Sequence, residues 1–98
     1  MESTLDRVLK LLRYHADDLH ARGILHAAVF GSVARGEDGP ASDVDLVVDV
    51  ACGIQTFDIM DIEEMLAGMI GCHVEVVTRR SLDPVRHADI FRDMIVAF

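Results

Sequence analysis

The apolar positions of the chain follow two rhythms. From Leu5 to Leu19 they recur every three or four residues, at Leu5, Val8, Leu9, Leu12, Ala16 and Leu19, with Asp6, Lys10, Arg13 and Asp17 on the other side. That spacing predicts one amphipathic helix packed on a sheet. Ser3 and Asp6 have the form of a capping pair, with Asp where Glu or Gln is usual, and Gly23 is placed to end the helix. Ile24 to Phe30 is a short, continuously apolar run interrupted by His26, as expected of a central buried strand. Asp43 to Val50 predicts a second strand and His73 to Thr78 a third. Between these two, the helical rhythm returns from about Phe57 to Ile70, with Ile59, Ile62, Leu66, Met69 and Ile70 on the apolar side. Thr56 is its expected N-cap, Asp58, Asp61, Glu63 and Glu64 lie in its first half, and Gly71 ends it. A last helix is expected to open at Ser81 or Asp83, before Pro84, and to bury Ile90, Phe91, Met94 and Ile95; Val96 to Phe98 can pack back on the sheet.

The chemistry lies where the first strand hands over to the second. Gly31-Ser32-Val33-Ala34-Arg35-Gly36 is small and glycine-bracketed, so a ligand can approach the backbone closely. Ser32 to Arg35 can form a short helix whose N–H groups face phosphates, and Gly36 to Ala41 is turn chemistry. Ser42-Asp43-Val44-Asp45-Leu46 follows. In a strand, residues two apart share a face, so Asp43 and Asp45 project together and Val44 faces away. Two neighbouring carboxylates repel unless a cation lies between them, and such hard oxygen ligands suit Mg²⁺ carrying a substrate phosphate.

For Ser32 and the acid pair to reach one nucleotide, strands one and two must run antiparallel. A helix joins strands two and three, so a parallel, right-handed crossover is expected there. Glu75 alternates with Val74 and Val76 and so comes beside Asp43 and Asp45. Arg35 has two open roles, steadying a triphosphate or bracing the loop through Glu37 or Asp38. Arg79 and Arg80 are expected to be solvated charges, Asp58 and Asp61 part of a solvated face, and His26 a tolerated core or edge residue.

Ninety-eight residues predict one domain spanning 1–98, with room for one core. A net charge of −8 argues against sequence-independent binding of DNA or RNA, and suits a basic protein partner. Cys52 and Cys72 have neither zinc nor disulfide-framework spacing. No targeting or membrane-spanning stretch stands out, which predicts a cytoplasmic protein with no membrane contact.

The Gly-Ser motif at Gly31-Ser32, the glycine-bounded turn and Ser-Asp-x-Asp-Leu at 42–46 resemble the DNA-polymerase-beta-type nucleotidyltransferases. Gly-Ser-Val-Ala-Arg-Gly-Glu at 31–37 is similar to the smallest branch, the MNT or minimal nucleotidyltransferase domains paired with HEPN-domain toxins. The resemblance implies a nucleotidyltransferase fold of the α/β (α+β) class, with a small mixed three-stranded sheet packed by about four helices. It implies Asp43, Asp45 and Glu75 as catalytic residues and ligands of one or two Mg²⁺, with Glu75 where Asp is usual. Gly31, Ser32, Arg35 and Ser42 become candidate contacts to ATP. The implied activity is AMP transfer from ATP to a tyrosine of a HEPN ribonuclease toxin, making this chain the antitoxin. One alternative is a non-catalytic antitoxin that acts by binding. Another is nucleotidyl transfer to a small molecule such as an aminoglycoside, for which a substrate domain would be needed.

Overall fold

A computed structural model describes residues 2–39 and 43–98. The first strand, β1 (Ile24–Phe30), follows two helices, α1 (Thr4–Tyr14) and α2 (Ala16–Ala21). It runs into a short helix, α3 (Gly31–Arg35), and then β2 (Val44–Val50). Helix α4 (Thr56–Ile70) crosses to β3 (Val74–Thr78), and a 3₁₀ turn (Arg79–Ser81), α5 (Ala88–Asp93) and β4 (Ile95–Val96) complete the order. The sheet order is β3-β2-β1-β4. As expected from the meeting of Ser32 with the acid pair and from the helical crossover, β1 and β2 are antiparallel and β2 and β3 parallel.

One face of the sheet carries the core. Val29 of β1, Val44, Leu46 and Val48 of β2, and Val74 and Val76 of β3 pack with Val8, Leu9 and Leu12 of α1, Leu19 of α2, and Ile62, Leu66 and Ile70 of α4. Each such side chain, when fully buried, contributes about 1.5–3 kcal/mol. The other face carries Asp45, Val47 and Asp49 of β2 and Glu75 of β3, by the strand alternation. Over part of it, Phe91, Met94 and Phe98 stand with Ala28 and Val47 around a hollow of about 440 Å³.

Four local differences separate fold from expectation. The first helix is two: His15 leaves helical geometry (φ −97°, ψ 14°), and α2 restarts with Asp17 and Asp18 in its first turn, a favourable place for acids. The cap is as expected, Ser3 Oγ accepting from the Asp6 N–H at 3.0 Å. At α4 the N-cap is Gln55, not Thr56, because the Asp58 carboxylate accepts the Gln55 N–H at 2.9 Å and draws the helix start back one residue. The last helix begins at Ala88, not at Ser81 or Asp83. Asp83 Oδ1 accepts from the N–H groups of Val85 (2.8 Å) and Arg86 (3.3 Å), and His87 Nδ1 accepts from the Asp83 N–H (2.8 Å). These side-chain bonds hold the segment in turns. Finally the sheet has four strands, not three. Met94 turns extended (ψ 129°), so Ile95 pairs with Val29 as β4 and leaves the expected helical stripe. Ala97 and Phe98 continue the contact, bonding to Ala27 at 2.9 and 3.2 Å.

Candidate active site

The parallel register of β2 and β3 puts Glu75 directly opposite Asp45. Both side chains leave the sheet on the face away from the core, because Val44, Leu46, Val74 and Val76 take the other one. Asp43 lies two residues before Asp45, exposed, at the mouth of the sheet. The Val44 N–H donates to the His73 carbonyl at 3.0 Å, which closes the two strand ends on each other there.

The glycine loop reaches the same place from the other neighbour. Phe30, the last residue of β1, pairs with Asp45, so Gly31 begins beside that carboxylate. A Cβ on Gly31 would lie 2.5 Å from Asp45 Oδ2, and Gly31 is in the left-handed region at φ 77°. Only glycine fits a backbone so placed without moving the acid. Gly36, also left-handed at φ 72°, ends α3.

Charge in the site is one-sided. Burial pushes the Asp45 carboxyl above its ordinary value, and the neighbouring charges of Glu75 and then Asp43 push it the same way; His73 and Arg35 oppose them. Hard anionic oxygens gathered around a carboxylate whose ionisation they disfavour are a donor set that a divalent cation relieves, so the residues fit one. Among the described residues, no three His, Cys, Asp or Glu side chains are already gathered as a metal-holding group.

The structure thus brings together Asp43, Asp45, Glu75 and Gly31, with half-buried Ser32 next along α3. Ser42 lies outside the described residues. Arg35 is occupied: it donates Nε–H to Glu37 at 3.0 Å and Nη1–H to Asp93 at 2.6 Å. These bonds, Glu37 first, raise its pKa. Arg79 stands at the other end of β2, 3.7 Å from Asp49 and over the Phe91 ring, away from the acid pair. Asp58 and Asp61 are exposed on α4, as expected.

Two residues near the site are absent from the motifs. His73 Nδ1 lies 3.4 Å from Asp43 Oδ2, giving that acid a partner from the start of β3. Its signal was its place, two residues before Glu75. Glu63 of α4 accepts the Val76 N–H at 2.8 Å and so holds the outer edge of β3 next to Glu75. Nothing in the sequence pattern marks that bond.

Residues 10–97 match the nucleotidyltransferase domain family. The chain belongs to that family. Its reaction class is therefore nucleotidyl transfer, and the matched residues include the acid-lined mouth. Protein adenylyltransferase MntA of Thermococcus cleftensis is 31% identical over 93 residues, covering 94% of each chain. A solved structure assigned provisionally to the minimal nucleotidyltransferases superposes with a TM-score of 0.73 at 33% identity, covering 89% of this chain and 93% of that one. A Shewanella oneidensis complex of a tri-AMPylated HEPN toxin with its MNT antitoxin superposes at TM-score 0.65 and 17% identity, covering 92% of this chain and 71% of that one. At that identity the likeness is one of fold. No helix among the described residues is long and apolar enough to cross a membrane.

Proposed function

We propose that this nucleotidyltransferase is a protein adenylyltransferase that moves AMP from ATP to a tyrosine of a HEPN-type ribonuclease toxin, and is the antitoxin of that pair. The observation that carries the reading is the convergence of Asp45, Glu75 and Gly31 from three different elements on one spot, in a chain that shares 31% identity with a protein adenylyltransferase over nearly its whole length. The AMPylated toxin held by a protein of this fold supports the choice of acceptor.

In this reading Gly31 and Ser32 contact the β- and γ-phosphates through backbone N–H and hydroxyl. Asp43, Asp45 and Glu75 would hold one or two Mg²⁺, which when bound offset charge on the attacking and leaving oxygens. Glu75 stands next to the acceptor and takes its proton. The tyrosine oxygen forms a bond to the α-phosphorus, the α–β anhydride bond breaks, and pyrophosphate leaves with that bond's electron pair. The open face of the sheet leaves room for a protein acceptor to bring its hydroxyl to the carboxylates.

The test is intact-mass spectrometry of a HEPN-type toxin encoded beside this chain, after incubation with the two proteins and Mg-ATP. Mass steps of one AMP, absent with Asp43→Asn/Asp45→Asn, are expected. An unmodified toxin would sink the reading. A binding-only antitoxin is the second reading, favoured by Glu75 in place of the usual Asp. Neutralisation of the toxin that survives loss of both aspartates would favour it.

A further inference from the structure

The loop that approaches Asp45 is tied to the segment after β3 by the side chain of Arg35. Arg35 is the last residue of α3, and its Nη1–H reaches Asp93 Oδ2 at 2.6 Å. Asp93 is the last residue of α5, and its side chain is only 17% exposed, so the pair is sheltered on one side. Glu37, after the Gly36 turn, takes the Nε–H at 3.0 Å, so one guanidinium bridges two acids in a fixed fork. From Asp93 the chain passes through Met94 into β4, which pairs with β1 at Val29 and Ala28. Strand β1 then ends at Phe30, directly before Gly31. The contacts form a closed circuit: β1 to α3, α3 to α5 through Arg35 and Asp93, α5 to β4, and β4 back to β1. Gly31 and Ser32 sit inside that circuit, at the start of the helix that Arg35 ends.

We infer that Arg35 is a positioning residue, not a ligand of the triphosphate: with Asp93 it holds α3, and hence Gly31 and Ser32, in place against Asp45. A guanidinium between two carboxylates has its charge already paired, and leaving the buried side of Asp93 for an anionic ligand would strand that acid. Both hydrogen bonds of the guanidinium run to residues outside β2 and β3, which carry the acids.

The two roles make opposite statements about Asp93. If Arg35 bound phosphate, Asp93→Asn would free it, and the KM for ATP would fall or stay the same. As a tie, Arg35→Gln and Asp93→Asn both remove the Arg35–Asp93 bond, and Arg35→Gln removes the Glu37 bond as well. Each is expected to raise the KM for ATP roughly five- to tenfold with kcat changed less than about twofold, and the double variant to be no worse than Arg35→Gln alone. A merely structural role would lower the melting temperature of both variants but leave KM unmoved at a temperature where all are folded. An unchanged KM in Asp93→Asn, or additive effects in the double variant, would overturn the inference. The inference rests on the adenylyltransferase reading, and the two can fail separately. If the wild-type protein transfers no AMP, that reading fails alone. The tie is then read from amide hydrogen exchange at Gly36 and Glu37, whose N–H groups bond back to Val33 and Ser32 at 3.1 and 2.9 Å. Asp93→Asn should speed that exchange about tenfold, the effect of one lost local constraint, and unchanged exchange would overturn the tie.

Discussion

Alternate residues of β2 meet opposite surroundings. Val44, Leu46 and Val48 are no more than 2% exposed and lie at the centre of the core. Asp45, between two of them, faces Glu75 and Asp43, and its ionised form is disfavoured by burial and by both neighbours. One face of the strand supplies stability through apolar burial. The other concentrates like charge, which the fold would be more stable without. The comparison shows that the acids are tolerated because the buried residues already determine the backbone. A site that repels itself needs a rigid support, and here support and site are the same strand.

The most direct way to break that comparison is Asp45→Asn. Nucleotidyl transfer should fall by about a hundred- to a thousandfold, the scale of losing one group that offsets transition-state charge. The free protein should nevertheless melt higher at neutral pH, by a few degrees. The sign follows from the raised pKa: a carboxyl that ionises later in the folded than in the unfolded chain costs stability above its folded pKa. That cost is recovered as the pH falls through the folded value toward the unfolded one. The advantage of the Asn variant should therefore shrink on acidification, as measured by thermal denaturation across pH without nucleotide. A variant that melts lower than wild type at neutral pH would show that Asp45 supports the fold.

Two glycines sharpen the same contrast with a smaller effect. Gly31 and Gly36 both have left-handed backbones, at φ 77° and 72°, but a Cβ on Gly36 meets nothing within 4 Å whereas one on Gly31 meets the Asp45 carboxylate. Alanine at either position should cost about 1–2 kcal/mol of stability from the backbone alone. Only Gly31→Ala should also lose most of its transfer activity, because the methyl displaces Asp45. Equal activity losses in the two variants, measured at a temperature where both are folded, would show that backbone freedom and not the close approach to Asp45 makes Gly31 necessary.

Much of this site was legible because it depends on periodicities. The two-residue alternation put Asp43 and Asp45 on one face, and the helix between strands two and three required them to be parallel. Together they placed Glu75 beside Asp45 from thirty positions later in the sequence. The unforeseen features depend instead on single contacts between distant segments. Asp93 reaches Arg35 because Met94 breaks α5 and sends the chain along β1, and His73 meets Asp43 because the mouths of two strands close there. The first helix divided at His15 although its apolar spacing runs unbroken, since a hydrophobic stripe specifies a face and says little about one residue's ψ angle.

Glu75 gives the mildest test, and it concerns a single methylene. On the covered face, shortening Ile62, which is 2% exposed, to Val should cost about 0.5–1.5 kcal/mol, because a packed methyl leaves a gap. On the open face, Glu75→Asp removes a methylene from an exposed side chain that packs against nothing in the core. Its effect on stability should stay within about 0.5 kcal/mol. What it changes is reach: the carboxylate draws back toward β3 but keeps its charge opposite Asp45. If Glu75 serves as ligand and proton acceptor, the Asp variant should retain activity to within about tenfold, while Glu75→Gln, which keeps length and loses charge, should fall at least about as far as a lost charge-stabilising group does. Measured by initial rates of AMP transfer, that order of Glu, then Asp, then Gln assigns the role to the charge. The reverse, with Gln active and Asp inactive, would assign it to the side chain's length and make Glu75 a spacer at the mouth of the sheet.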